Sequence, residues 1–255
     1  MATVPNNSTT VLITGANRGL GRALTARFLL QPNTVVVAAV RRPEHATSKS
    51  LSELPRGKDT TLINVVIDST SDTDAQDAVK LLQTKHGINK LDVVVANAGH
   101  GTVFGDLSQV APLEVRDLID INTIGPLRLF QAVRPLLEAG TRPRFVLIGT
   151  PIASIAAMEK SPFPMFAYGA SKAAAHYLTR KIHCESPGLI AFVVDPGFMQ
   201  TEMGNTGARH FGYEKAFVPV DDSADFVLGQ IEKATREQTS GKFVTIDKER
   251  EYNEW

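Results

Sequence analysis

Short runs of β-branched and apolar residues recur along the chain, separated by longer amphipathic stretches. No other feature limits the possible folds as much. The runs are VLIT (11–14), VVVAAV (35–40), LINVVI (62–67), DVVVAN (92–97), RFVLIG (144–149), LIAFVVD (189–195) and KFVTI (242–246). Each has the length of a strand, and near-continuous apolarity predicts a sheet covered on both faces. After the first run, Leu20, Ala23, Leu24 and Phe28 recur at helical spacing. Further helices are expected over roughly 113–137, 168–185 and 222–238. This alternation predicts an α/β fold: a Rossmann-type, doubly wound sheet of about seven parallel strands with helices on both faces. No Pro/Gly/Ser-rich linker interrupts it, so residues 1–255 read as a single domain, with 1–10 a flexible N-terminal segment. Two stretches resist assignment, PIASIAAMEKSPFPMF (151–166) and FMQTEMGNTGARHFGYEKAF (198–217). Long irregular segments in a compact domain usually serve function.

Composition removes several function classes. The 27 Lys and Arg residues balance 27 Asp and Glu, and no basic run occurs, so no nucleic-acid partner is expected. The single cysteine, Cys184, rules out an internal disulfide and a Cys-rich zinc site, and reads as a helix-face residue. The acidic stretch DDSADF (221–226) reads as a helix start, not as a metal site, and no metal is expected. The polar N-terminal stretch MATVPNNSTT carries no signal-peptide pattern, and no run approaches the roughly 18 apolar residues that span a membrane. A cytoplasmic location follows as the expectation.

The loop TGANRGLG (14–21) lies between the first strand and the first helix. Gly15, Gly19 and Gly21 allow a sharp turn and close approach of backbone to phosphate. Asn17, Arg18 and Leu20 complete a helix N-terminus whose free N–H groups favour an anion. A dinucleotide fold that takes NAD places an acid after the second strand, whereas one that takes NADP uses arginine. Here that strand ends in Arg41 and Arg42 with no acid, and Arg18 sits inside the loop. Two arginines at one ribose would suit a 2′-phosphate, so NADP(H) is the expected cofactor.

The segment AYGASK places Tyr168 and Lys172 on one helical face. Tyrosine titrates near ~10 on its own. A neighbouring ammonium favours the phenolate, which would suit the pair to exchange a proton with a carbonyl or alcohol oxygen.

Taken in order, TGANRGLG, NAG (97–99), Asn122, a serine after the fifth strand, Tyr168-x-x-x-Lys172 and DPG (195–197) resemble the short-chain dehydrogenase/reductase family across essentially the whole chain. The resemblance implies that Tyr168 is the catalytic acid/base. Lys172 would bind the nicotinamide ribose and tune the tyrosine, and Asn122 would hold a helix kink and a proton path to Lys172. Asn97, Ala98 and Gly99 would line the adenosine-ribose side. Asp68 and Ser69 would meet the adenine, and Pro196, Gly197 and Thr201 would flank the nicotinamide. The family's serine normally stands at the position held here by Ile155. Ser154, one residue earlier, is taken as its displaced counterpart, with Ser161 the weaker candidate.

LDVVVANAG, RFVLIGTPI, DPGFMQTEMGNTGAR and TSGKFV are most similar to fungal polyketide-pathway ketoreductases of the norsolorinic acid reductase type. The NRG loop and the arginine-ended second strand are also similar to monomeric carbonyl reductases. The unassigned stretches carry Met158, Phe163, Met165, Phe166, Phe198, Met199, Met203, Phe211, Tyr213 and Phe217, an apolar set suited to a bulky aromatic substrate. His100, just after NAG, reads as a structural or solvent-facing residue. The expected function is NADPH-dependent reduction of a bulky ketone or aldehyde to an alcohol. The alternatives are a general carbonyl reductase or alcohol dehydrogenase on small substrates, or a non-redox dehydratase, isomerase or cyclase on the same fold. The expected partner is a small-molecule carbonyl compound. A homodimer through the long helices is possible, and the charged tail ending in Trp255 argues against the family's tetramer.

Overall fold

The computed structural model describes residues 8–105, 107–160, 163–247, 249 and 252–255. Seven parallel strands form one sheet in the order β3-β2-β1-β4-β5-β6-β7. They are β1 (Thr9–Thr14), β2 (Thr34–Val40), β3 (Thr61–Val66), β4 (Val93–Ala96), β5 (Arg144–Ile148), β6 (Ile190–Asp195) and β7 (Phe243–Thr245). Thr9 and Thr10, expected in a flexible segment, begin β1. Thr10 is buried, and its N–H donates to Asp92 Oδ2 at 2.9 Å.

The chain runs outward from β1 to β2 and β3, then returns to lay β4 beside β1. That reversal opens a crevice at the carboxyl ends of β1 and β4, where such sheets bind ligands. One face packs α3 (Asp74–His86), α5 (Gly125–Glu138) and α6 (Phe166–Glu185) over Leu12, Val94, Phe145 and Val193. The other packs α1 (Gly19–Leu30) and α8 (Val220–Lys233) over Ile13, Val36, Val95 and Phe192. Every residue of β2 is buried, as continuous apolarity requires. The edge strand β3 departs from that expectation. It alternates buried and open residues, and Val66 is 45% exposed.

The single helix expected over 113–137 is divided. Helix α4 (Pro112–Ile119) passes into a π turn at Asp120–Ile124 before α5 begins. Pro126 has no N–H to offer the carbonyl of Asn122 four residues back, so the regular ladder cannot continue there. A short α2 (Ala46–Lys49) and α7 (Glu202–His210) complete the helices used below; α7 forms within one stretch that resisted assignment. The last helix stops at Lys233, short of the expected 238, and turns occupy 236–241. Among the described residues no helix is long and apolar enough to cross a membrane, and no cluster of acidic, His or Cys side chains could hold a metal.

Candidate active site

The glycine loop leaves β1 through Gly15, whose φ of +63° suits a residue without a side chain. Gly21 is required for another reason: a Cβ there would stand 2.2 Å from the Gly15 carbonyl oxygen. Thr14 Oγ1 accepts from the N–H groups of Asn97 and Ala98, both at 3.0 Å, and Asn97 Nδ2 donates to the Thr14 carbonyl at 2.8 Å. These bonds lock the end of β4 to the end of β1. Helix α1 starts without a side-chain cap, so its first N–H groups face the crevice free to meet an anion. Thr201 closes the other side, its methyl 3.2 Å from where a Cβ on Gly19 would lie. Gly19 and Leu20 thus open α1 beneath a cradle shaped for phosphate.

The remaining predicted cofactor residues lie along the same sheet edge. Asp68 Oδ1 accepts from the backbone and hydroxyl of Thr70 at 3.0 and 2.8 Å, in a turn just beyond β3. The Ser69 carbonyl accepts from Arg128 Nη1 at 3.0 Å. The Pro196 carbonyl accepts from Ser223 Oγ at 2.7 Å, and Gly197 N–H donates to Asp195 Oδ1 at 2.8 Å. Asn17 Nδ2 donates to Thr47 Oγ1 at 2.7 Å. The two arginines are placed differently. Arg18 pairs with Glu202 at 3.0 Å, an ion pair open to solvent, while Arg41 is exposed.

Tyr168, Lys172 and Asn122 are brought together where β4, β5 and α6 meet. Asn122, fully buried in the π turn, accepts from His100 N–H at 2.9 Å. Its amide donates to the His100 carbonyl at 2.7 Å and to Ser171 Oγ at 3.0 Å. A Cβ on Gly99 would lie 3.1 Å from Asn122 Oδ1 and 3.4 Å from Lys172 Nζ. Lys172 Nζ donates to the Ile148 carbonyl at 2.9 Å, and burial lowers its pKa to about 8. Burial also raises the Tyr168 phenol well above its ordinary value, although the residue as a whole is only partly enclosed. The Asp195 carboxylate raises it further, and a hydrogen bond with the Thr150 hydroxyl opposes both. The expected drop in Tyr168 pKa beside Lys172 is therefore not found. The lysine is committed to Ile148, and burial outweighs the one bond that favours the phenolate.

The Ser154 hydroxyl, expected to meet the substrate oxygen, is engaged with other partners. Ser154 is buried, its Oγ donates to the Trp255 carbonyl at 3.2 Å, and it accepts from Ala157 N–H at 3.0 Å. A hydroxyl has one proton to donate, and this one is taken. Thr150, which sequence reasoning missed, is the hydroxyl that draws the Tyr168 pKa down against burial. It stands two residues past the end of β5 and accepts from Ile152 N–H at 3.3 Å. Ser161 lies outside the described residues.

His100 is exposed and pairs with Thr102 Oγ1 at 3.1 Å, in keeping with a solvent-facing role. Of the apolar loop set, Met165 is buried, whereas Met158, Phe163, Phe166, Tyr213 and Phe217 are exposed. Rings join several of them: Phe163 to Phe211 at 5.0 Å, Phe198 to Phe217 at 5.5 Å, and Tyr213 to Phe217 at 5.1 Å. Phe104 and His210 belong to this layer and were not singled out in the sequence, since neither stands in a dense apolar run.

Comparison with known proteins agrees with this geometry. Over 239 residues the chain is 44% identical to a norsolorinic acid ketoreductase of Dothistroma septosporum, covering 92% of this chain and 89% of that protein. It is 44% identical over 242 residues to the norsolorinic acid ketoreductase of Aspergillus parasiticus, covering 94% and 89%. In fold it is similar to an NADPH-bound carbonyl reductase from chicken fatty liver, with a TM-score of 0.84 at 24% identity over 97% of this chain and 99% of that one. Residues 9–210, from the first strand of the sheet to the end of α7, match the family described as short chain dehydrogenase. With the glycine cradle, Asn122, Tyr168 and Lys172 assembled on one sheet edge, the chain belongs to the short-chain dehydrogenase family.

Proposed function

We propose that the chain is an NADPH-dependent ketoreductase acting on a bulky aromatic, polyketide-like ketone. The observation that carries this reading is the meeting of Tyr168 and buried Lys172, one turn apart on α6, with buried Asn122 at the edge that also bears the glycine cradle. The fungal relatives, named norsolorinic acid ketoreductases, support the substrate class.

The cradle residues fit a dinucleotide. Gly15, Asn17, Gly19, Leu20 and Gly21 would take the pyrophosphate, Asp68 and Ser69 the adenine, and Asn97, Ala98 and Gly99 the adenosine ribose. Pro196, Gly197, Thr201 and Lys172 would hold the nicotinamide half. Arg18, released from Glu202, and Arg41 would grip a 2′-phosphate. NADPH bound there would supply the hydride. Thr150 donates a hydrogen bond that polarises the ketone oxygen. The raised pKa of Tyr168 keeps it protonated at neutral pH, and so ready to give its proton as charge develops on that oxygen. Lys172, charged below about pH 8, steadies that charge and with Asn122 returns a proton to the tyrosine.

NADPH consumption with an aryl ketone tests the reading. Tyr168→Phe should lower kcat by roughly 10²–10⁴-fold; turnover close to wild type would overturn the mechanism. Arg41→Ala should raise the KM for NADPH about tenfold, through loss of a charge-assisted bond, while changing that for NADH far less. An unchanged preference would remove the 2′-phosphate argument.

A further inference from the structure

The segment 100–105 lies across the active site. A Cβ on Gly101 would meet the Tyr168 ring at 2.7 Å. Gly105 N–H donates to the Pro164 carbonyl at 2.9 Å and bridges to Met165, which fixes the segment to the start of α6. Phe104 is therefore held at a set distance from Tyr168. Its ring lies flat on His210, at the end of α7, with centroids 4.3 Å apart and planes 15° from parallel. Phe211 stands edge-on to both, at 5.6 and 5.1 Å. A Cβ on Gly207 would face Phe198 at 3.7 Å and Phe104 at 3.8 Å, so the aromatic lining runs on toward Gly197.

We propose that Phe104 and His210 form an aromatic clasp at the mouth of the substrate cleft, and that a planar fused-ring aryl ketone seats its outer ring between them. The proposal rests on the ketoreductase reading and names the substrate feature it selects. Two flat rings in direct contact mark a slot of the right shape. Admitting a third ring widens the gap to about 7 Å, two contacts of roughly 3.5 Å each. The structure leaves room for that movement on one side: Phe104 is tied to α6 through Gly105, whereas His210 is the exposed last residue of α7, whose side chain can swing into solvent while the helix stays in place. A histidine suits the moving half because it is exposed, and an imidazole tolerates water better than a phenyl ring.

The test uses the full-length protein with 2-acetylanthraquinone as the three-ring ketone and acetophenone as the one-ring ketone. Phe104→Ala and His210→Ala should each raise the ratio of three-ring to one-ring KM by roughly 3- to 10-fold, the worth of one stacked pair. His210→Phe should keep the wild-type ratio, and His210→Leu, of similar bulk but not aromatic, should not. Unchanged ratios in both alanine variants, or equal rescue by leucine and phenylalanine, would overturn the clasp. Binding of 2-acetylanthraquinone to the NADP⁺-loaded protein, read by the ketone's absorbance, separates the two ideas. Binding that weakens in the alanine variants without NADPH consumption in the wild type sinks the reductase reading and keeps the clasp. Turnover of both ketones with variant-independent binding sinks the clasp alone, and absence of binding sinks it as well.

Discussion

Thr150 and Ser154 are four residues apart, yet their hydroxyls do different work. Ser154 closes the turn before Ala157 and reaches Trp255, while Thr150 lowers the pKa of Tyr168. Thr150→Val keeps the volume and removes the donor. It should lower kcat about 10²-fold or more, as loss of one donor to a developing oxyanion does. Thr150→Ser should recover most of that loss, and Ser154→Ala should cost less than roughly tenfold. Steady-state kinetics of the three variants decide it; a larger loss in Ser154→Ala than in Thr150→Val would restore the serine. The tyrosine, lysine and asparagine were legible because each belongs to a fixed spacing or a distinctive dipeptide. The hydroxyl was not, because it was sought by counting back from Tyr168. Two short 3₁₀ turns, Pro151–Ala153 and Met158–Lys160, lengthen that connection. Counting forward from the end of β5, where the backbone is held in register, reaches Thr150 at once.

Helix α6 presents Tyr168, Lys172 and His176 at successive four-residue steps, so one face carries three titratable groups into the interior. His176 packs against Phe243 at 4.5 Å, and neither ring nitrogen has a protein partner among the described residues. Burial lowers its pKa to about 3, and the Lys172 charge adds to the effect. The imidazole is therefore neutral in the folded protein while the unfolded chain takes a proton below about pH 6.5. Between pH 6.5 and 3 the unfolded state binds more protons, so stability falls as pH falls. At pH 5 this amounts to about 2 kcal/mol. His176→Leu should remove that slope: thermal unfolding at pH 7 and pH 5 should show a smaller acid loss than in wild type, and equal losses would refute the assignment. Such a helix is half legible in sequence. Its start and its Tyr-Lys face follow from spacing, but whether His176 points inward depends on Phe243 in β7 and Gly149 just past β5. The π turn was hidden for a similar reason. An apolar period continues through 113–137, and only Pro126, read as a missing donor to Asn122, marks the break. Helix α7 was obscured by its glycines, Gly204 and Gly207, which lower helix propensity. It forms because Thr201 Oγ1 caps Gly204 N–H at 3.0 Å and its far end packs on Phe104.

The sheet is finished by residues far along the chain, and these bear on the site. Tyr252 pairs with Val244, Asn253 N–H donates to the Phe243 carbonyl at 2.8 Å, and Asn253 Nδ2 donates to Asp195 Oδ2 at 3.1 Å. The Trp255 ring meets Phe243 at 5.7 Å and His176 at 6.0 Å, and the Arg180 guanidinium lies over it at 5.3 Å. Its carbonyl accepts from Ala156 N–H at 2.9 Å and from Ser154 Oγ. One short segment thus joins β7, α6, the carboxyl end of β6 and the turn that follows Thr150. In sequence the tail reads only as a charged ending that argues against the family's tetramer; its contacts with Ser154 and Ala156 join partners some hundred residues apart, beyond any local pattern. Trp255→Ala should cost about 2 kcal/mol of stability, from lost aromatic and cation–π contact. It should also lower kcat more than it raises the KM for NADPH, because the freed segment holds the turn that follows Thr150 whereas the glycine cradle is held by β1 and β4. Thr245 and Gly197 still bond Asp195 in Asn253→Ala, so that variant should lose stability by about 1–3 kcal/mol, the cost of an unmet hydrogen bond to a buried carboxylate. Thermal unfolding and steady-state kinetics on both variants check these outcomes together. A Trp255→Ala protein that melts earlier but keeps the wild-type kcat below its melting range would make the segment a clamp for the sheet alone. A fall in kcat at unchanged cofactor KM would instead place it among the elements that hold Thr150 against Tyr168.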